Sequence, residues 1–312
     1  MQEQQRVIAV VVTWNRRALL AEALQALQEQ TVPVTRIIVV DNASDDGTGS
    51  MLSAQFPDVE VVRSQVNTGG AGGFAIGIDR ALTHESDALW LMDDDTVARP
   101  GALDALVRAR VGYAAGTPSL APPALVASRV VWTDGREHPM NTPRAKAAAS
   151  REERASAQRA GCTPIRTASF VSVLLDTERV REVGLPIADY FLWNDDFEYS
   201  ARLVRGRRGI CCPASVVVHK TASFGGADAD PGERFFFEVR NKVWTFTRAH
   251  GLNPAEKVLY GGSTARRWAR TIARSDNRPV LLRGLARGLG AGLRNRPRDS
   301  ATLIADSVEQ HG

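Results

Sequence analysis

Four short apolar runs in the first third of the chain limit what it can fold into. Val7–Thr13 (VIAVVVT) is an unbroken β-branched run, the pattern of a strand buried on both faces. Arg36–Val40, Val59–Val62 and Ala88–Met92 read as three further strands. Between them, Leu20, Ala23, Leu24 and Leu27 recur at helical spacing within Ala18–Leu27. Gly49–Phe56 reads as a short helix and Phe74–Thr83 as another. Strand and helix in strict alternation predict an α/β fold on a parallel, doubly wound sheet. Ligands of such sheets bind beyond the carboxyl ends of the strands.

Each run ends in a polar cluster. Thr13-Trp14-Asn15-Arg16 follows the first, Asp41-Asn42-Ala43-Ser44 the second, Asn67–Gly73 (NTGGAGG) the third and Asp93-Asp94-Asp95 the fourth. Three adjacent carboxylates repel one another, so the triplet is either a solvated turn or the seat of a hard divalent cation. In an extended turn Asp93 and Asp95 point one way and Asp94 the other. The NTGGAGG segment, read as a loop before the Phe74 helix, offers backbone N–H groups to phosphate. It has neither the Gly-Lys-Ser/Thr of a P-loop nor the GxGxxG spacing of a dinucleotide fingerprint. Asp41 can accept the imide N–H of uracil or thymine, or close an Asx turn.

The second half is less regular. Leu125–Trp132 and Ala168–Leu175 read as strands, and Thr133–Gly161 as a mobile excursion or short surface helix. Thr177–Val183 and Asp196–Arg205 read as helices, Ile210–His219 as a strand and Phe235–His250 as a long helix. Asp195, Asp196 and Glu198 cluster at a helix start, as caps or as a source of one general base for an acceptor hydroxyl. Trp193 offers an apolar wall to a sugar. His219, at a strand end, is a candidate third ligand beside the aspartates, and Arg240 a candidate diphosphate contact.

Composition narrows the partners. The 312 residues carry a net charge of +4, but ten arginines against four acids between Thr264 and Gly312 put +6 on the tail and leave −2 elsewhere. A basic tail of this kind is no reason to expect nucleic acid. Within Pro279–Arg298, Leu282, Leu285, Leu289 and Leu293 form one helical stripe, with Arg283, Arg287 and Arg294 beside or opposite it. That stripe fits an anionic membrane surface, packing on the domain, or a homo-oligomer contact. The polar start MQEQQR and the lack of a long apolar stretch predict neither a cleavable signal nor a membrane span. Three cysteines without CxxC spacing predict packing thiols in a reduced, cytoplasmic setting.

In their order, Val12-Thr13-Trp14-Asn15-Arg16, Val40-Asp41-Asn42-Ala43-Ser44, Asn67-Thr68-Gly69 and Asp93-Asp94-Asp95 resemble the inverting family-2 glycosyltransferases of the GT-A fold, over roughly residues 6–250. The resemblance implies a Rossmann-like mixed, mostly parallel sheet flanked by helices, with a helical basic C-terminal extension. It divides the chain into a catalytic domain, 1–250, and a tail, 251–312. Within the domain, about 1–110 would hold the nucleotide sugar and about 111–250 the acceptor. It implies a nucleotide-diphosphate-sugar donor held by Thr13, Asn15, Arg16, Asp41, Asn67, Gly69, Gly70 and Asp94, with Mn²⁺ or Mg²⁺ bridging its phosphates. The run Trp193–Tyr199, then His219, then Phe236-Phe237-Glu238-Val239-Arg240-Asn241 is similar to the actinobacterial galactofuranosyltransferases. That similarity implies Asp196 as the base and Asp93, Asp95 and His219 on the metal. Asp94 would then meet the donor's ribose or sugar, and Trp193, Asp195 and Glu198 the acceptor side. Chain length and Asn194–Tyr199 resemble the initiating enzyme of galactan synthesis. This implies transfer from UDP-galactofuranose to a rhamnosyl–GlcNAc diphospho-polyprenol, on the inner face of the plasma membrane. A rhamnosyltransferase using dTDP-rhamnose is the alternative, and a noncatalytic nucleotide-sugar-binding module a more distant one.

Overall fold

A computed structural model describes residues 5–114, 121–224 and 230–308. The first four strands are β1 (Val7–Thr13), β2 (Arg36–Asp41), β3 (Glu60–Arg63) and β4 (Ala88–Asp93), separated by α1 (Arg17–Gln28), α2 (Thr48–Gln55) and α3 (Gly69–Ala81). They pair in parallel in the order β3-β2-β1-β4. Alternate residues of β1 enter two different cores. Val7, Ala9 and Val11 pack with Leu20, Leu24 and Leu27 of α1, while Ile8, Val10 and Val12 pack with Phe74, Ile76 and Ile78 of α3. That two-sided burial is why the strand is apolar without alternation.

β5 (Thr96–Ala98) and α4 (Ala102–Ala114) follow the aspartate triplet, and β6 is Leu125–Val131. The stretch read as a mobile excursion or short surface helix contains the short helix α5 (Arg151–Arg159), whose Ser150 cap accepts from the Glu153 N–H, together with the strand β7 (Arg144–Ala145). β8 (Thr163–Thr167) is a strand not expected from the sequence, and β9 (Ser172–Asp176) overlaps the region read as the strand Ala168–Leu175. α6 (Thr177–Val183), α7 (Asp195–Val204) and β10 (Gly209–His219) complete the sheet. Its order is β3-β2-β1-β4-β9-β6-β10-β8-β7, with β5 on β10. β9 enters antiparallel between β4 and β6, so the sheet is mixed and mostly parallel, as the resemblance implied. β6 and β10 are parallel to each other and run with β1–β4.

Two features aim the site. β5 pairs antiparallel with β10, setting Thr96 opposite His219 and so bringing the aspartate turn to the end of β10. The β10 register jumps between Cys212 and Val216, across a proline that cannot donate to the ladder.

The C-terminal third holds α8 (Phe235–Thr247), α9 (Pro254–Arg274), α10 (Arg278–Arg294) and α11 (Ser300–Ser307). α10 meets α8 along Leu281, Gly284, Gly288 and Gly292, all buried. A Cβ at Gly288 would lie 2.7 Å from Val239 Cβ, and one at Gly292 2.6 Å from Val243 Cβ. The glycines thus set a close helix–helix contact, and the leucines Leu282, Leu289 and Leu293 turn to solvent. α11 returns to α3, where Leu303 packs with Ala75 and Ala188, and the Ser307 carbonyl accepts from Gln65 N at 2.8 Å.

Candidate active site

Four loops meet at the carboxyl ends of β1, β2, β4 and β10. The five non-glycine residues with positive φ among the described residues are Asn15, Ala43, Phe191, Trp193 and Asn194. Every one lies on a segment bordering this edge, the β1 and β2 turns or the stretch before α7. Strain of this kind persists only where surrounding contacts enforce it.

At the centre, Asp93, Asp95 and His219 each present one ligand atom, all within 4.8 Å of one another. His219 Nε2 is 3.0 Å from Asp95 Oδ1. That oxygen is buried and makes no aligned hydrogen bond. Burial pushes the Asp93 carboxyl up to about 7, with the Asp95 charge adding to it. Burial also acts on Asp95, but the close His219 imidazole and its charge hold it below the ordinary carboxylate range. Burial likewise opposes the charge on His219, which Asp95 and Asp93 nevertheless raise above the usual histidine value. An orphaned buried oxygen, a carboxyl forced toward neutrality and an imidazole together fit a divalent cation.

Asp94 lies outside that cluster. Its Oδ2 accepts from Thr13 Oγ1 at 2.8 Å and from the Trp14 N–H at 3.4 Å. Burial raises its carboxyl to about 6 against the pull of Arg16. The half-exposed Arg16 guanidinium bridges Asp94 Oδ1 at 3.2 Å and Asp95 Oδ2 at 2.6 Å, which offsets the charge of the triplet. The Asn15 side chain accepts from the Asp45 N–H at 2.9 Å and so ties the β1 turn to the β2 turn. Asp41 is fully buried; Oδ1 closes the turn onto the Ser44 N–H at 2.9 Å, while Oδ2 has no hydrogen-bond partner.

The glycine-rich segment is a helix start rather than a loop. α3 begins at Gly69, five residues before the expected Phe74. Asn67 Oδ1 accepts from the Gly69 N–H at 2.8 Å and from Asn42 Nδ2 at 3.1 Å. A Cβ on Gly69, whose φ is +71°, would lie 2.0 Å from the Phe191 carbonyl oxygen. Those on Gly73 and Gly77 would strike Val12 and Val10. These three glycines therefore serve close packing. Gly70 differs: no atom lies within 4 Å of where its Cβ would be.

The stretch before α7 carries the second carboxylate group. Asp195 is buried, and burial followed by the Asp196 charge drives its carboxyl well above the usual range. The Asp93 charge also acts on it, so the two acidic groups are electrostatic neighbours. Asp196 is partly exposed. Burial raises its carboxyl too, while the Phe197 N–H, Lys242 and Arg144 pull the other way. Trp193 stands beneath the Arg234 guanidinium, 5.5 Å from its ring centroid.

Two expected contacts go elsewhere. Both oxygens of the buried Glu198 accept from Arg202, at 3.0 and 3.1 Å, one helical turn on. It braces α7. Arg240 donates to the Asp189 and Tyr190 carbonyls at 2.7 and 3.1 Å and lies 4.3 Å from the Trp244 ring centroid. Its neighbour Asn241 reaches the carbonyls of Tyr190, Leu192 and Trp193 at 2.8–2.9 Å. The Arg240–Asn241 pair therefore pins the strained stretch. Sequence reading also passed over Asn141, whose Oδ1 is 2.9 Å from His219 Nδ1. It lies inside the stretch taken for an excursion, and nothing local marks it.

The profile of glycosyl transferase family 2 matches residues 8–113. The galactofuranosyltransferase GlfT1 of Mycolicibacterium smegmatis is 32% identical over 286 residues, which is 86% of this chain and 91% of that protein. GlfT1 of Mycobacterium tuberculosis is 30% identical over 259 residues, 78% of this chain and 82% of that one. Among solved structures, Staphylococcus aureus TarS 1–349 in complex with UDP-GlcNAc superimposes with a TM-score of 0.62 at 15% identity, covering 92% of this chain and 81% of TarS 1–349. The mannosyltransferase PcManGT from Pyrobaculum calidifontis, in complex with GDP-Man and Mn²⁺, superimposes with a TM-score of 0.54 at 21% identity, covering 98% and 80%. At those identities the two structures speak for the fold alone.

Proposed function

The chain belongs to glycosyltransferase family 2, and from that premise we propose that it transfers galactofuranose from UDP-galactofuranose to a rhamnosyl–GlcNAc diphospho-polyprenol, with inversion. The sugar follows the two galactofuranosyltransferase GlfT1 relatives, which are 32% and 30% identical over most of their length, and the acceptor follows the resemblance carried by chain length and Asn194–Tyr199. The observation that carries the metal-dependent chemistry is the meeting of Asp93, Asp95 and His219 beside the Asp195–Asp196 pair.

Asp93, Asp95 and His219 are the residues that would hold a divalent ion, and Mn²⁺ accepts such a mixed oxygen and imidazole set more readily than Mg²⁺. When bound, the ion supplies positive charge to the departing diphosphate. Asp196 acts as the base. It takes the proton as the acceptor hydroxyl oxygen bonds to the anomeric carbon and the bond from that carbon to the diphosphate breaks. Asp196 suits this role better than Asp195 because it is partly exposed while Asp195 is buried. Asp41, whose Oδ2 makes no hydrogen bond and lies 3.9 Å from Arg63 Nε, is our choice for the uracil imide N–H. Thr13 and Arg16 set Asp94 toward the donor's sugars, and Trp193 offers its ring to the acceptor.

We assign residues 1–250 to catalysis, with the donor on about 1–110 and the acceptor on about 111–250. No helix among the described residues is long and apolar enough to cross a membrane. The lipid-linked acceptor is reached instead through the outer edge of α10. At about 100° per residue, the helix carries Gly284, Gly288 and Gly292, then Leu282, Leu289 and Leu293, then Arg283, Arg287 and Arg294 on three separate edges. Leu282 and Leu293 are 52% and 60% exposed beside that arginine edge, which suits an anionic lipid surface.

The test is a donor panel of UDP-galactofuranose, UDP-galactopyranose and dTDP-rhamnose, with a rhamnosyl–GlcNAc lipid analogue as acceptor. Transfer from UDP-galactofuranose alone is expected. Preferred transfer from dTDP-rhamnose would replace the sugar assignment, and donor binding without transfer from any of the three would favour a noncatalytic module.

A further inference from the structure

We infer that Asn141 is a positioning residue that selects the His219 tautomer able to bind a metal; the inference rests on the metal reading above. His219 is buried between two acceptors. Asn141 Oδ1 lies 2.9 Å from Nδ1, and Asp95 Oδ1 lies 3.0 Å from Nε2. A neutral imidazole carries one proton, and whichever nitrogen holds it cannot coordinate. The Asn141 amide oxygen only accepts, so it holds the proton on Nδ1. Nε2 is then left with its lone pair toward Asp93 and Asp95. Without that acceptor the buried Nδ1–H would lack a partner. The tautomer with its proton on Nε2, donating to Asp95, would become the better satisfied one. The ring would then meet an arriving cation with a hydrogen instead of a lone pair.

Asn141 is built for this placement. It ends the short turn Pro139–Asn141 and is 9% exposed, and its Nδ2 donates to Ser169 Oγ at 3.2 Å. At the head of the same turn, His138 packs its ring 5.0 Å from that of His219. The Thr221 hydroxyl hydrogen goes to the Ser223 carbonyl, 3.0 Å away, so its oxygen accepts from His138 Nε2 at 3.0 Å. His138 is thereby fixed as a wall behind the His219 ring. Outer partners of a metal-bound histidine typically change affinity by about 10–100-fold when removed.

The test is Mn²⁺ affinity of the full chain, read from the free-ion EPR signal, with wild type, His219→Ala, Asn141→Leu and Asn141→Asp compared. Asn141→Leu is expected to weaken Mn²⁺ by about 10–100-fold. Asn141→Asp keeps an oxygen for Nδ1–H but loses the donor to Ser169, and is expected within a few-fold of wild type. Should Asn141→Leu fail to fold, Asn141→Ser takes its place with the same expected weakening. An unchanged dissociation constant in Asn141→Leu, beside a weakened His219→Ala, overturns the role of Asn141 and leaves the metal site standing. Weakening in Asn141→Asp equal to that in Asn141→Leu also overturns it, because the amide donor would then be what matters. Unchanged binding in His219→Ala defeats the metal reading itself.

Discussion

Asp195 and Asp196 are adjacent and acidic, yet their surroundings divide their work. Asp195 is buried, while Asp196 is partly exposed and stands within the fields of Lys242 and Arg144. Asp196→Asn should lower transfer by about 10²–10⁴-fold while leaving UDP-galactofuranose affinity within about twofold, measured by product formation and by calorimetric titration. A base works only when ionised, so transfer holds above its folded-state pKa and fades as pH falls through it. Burial raises that value, and the charges of Asp195 and Glu238 face Asp196 alongside the two cations. The acid limb of the pH profile should therefore begin above the ordinary carboxylate range. Lys242, itself held down to about 8 by burial, lowers the Asp196 value. Lys242→Met should move the acid limb of kcat/KM to higher pH; a limb that does not move would remove Lys242 from this account. Residues at the ends of the first strands were legible because each cluster follows its own strand in sequence. Arg240 and Asn141 were not, because their partners lie in other elements and no spacing encodes them; Glu198 pairs with Arg202 at i,i+4 on its own helix, a spacing the sequence does show.

At the scale of elements, the stretch from Phe191 to Asn194 is the costly part of the site. Three of its four residues have positive φ, and it abuts the backbone of Gly69. Its carbonyls are held from α8 by Asn241, and the Asn194 side chain by Glu238 at 2.7 Å. Asn241→Ala should lower stability by about 1–3 kcal/mol in urea unfolding. It should reduce kcat more than donor affinity, since the stretch borders Asp196 and not the β2 turn. Equal loss of both would mean that Asn241 supports the fold without a special link to catalysis. The early start of α3 has a related cause. Glycines lower helix propensity in water, so Gly69–Gly73 read as a loop. Packing on β1 reverses that preference, because only glycine lets the helix approach Val10 and Val12 so closely.

For the molecule as a whole, α10 and α11 pack against the catalytic fold, α10 along α8 and α11 against α3. Gly288→Val should lower Tm by several degrees, because its Cβ meets Val239 at 2.7 Å. Replacing Leu282, Leu289 and Leu293 with serine should instead leave Tm nearly unchanged and reduce co-sedimentation with anionic vesicles. Undiminished sedimentation would clear that edge of a membrane role. The leucine periodicity of α10 was visible in the sequence, but its direction was not, because a glycine stripe competes with a leucine stripe for the protein-facing side. α9 falls in the tail expected to be helical, but its bounds were not legible because few of its residues are buried; Val258 and Leu259 are 77% and 70% exposed. The central claim is that Asp93, Asp95 and His219 hold a divalent ion needed for sugar transfer. Its most direct test is UDP release from UDP-galactofuranose with the acceptor analogue, in EDTA and after Mn²⁺ is restored. Loss of release in EDTA with recovery in Mn²⁺ is the predicted result, and full turnover in EDTA would contradict it.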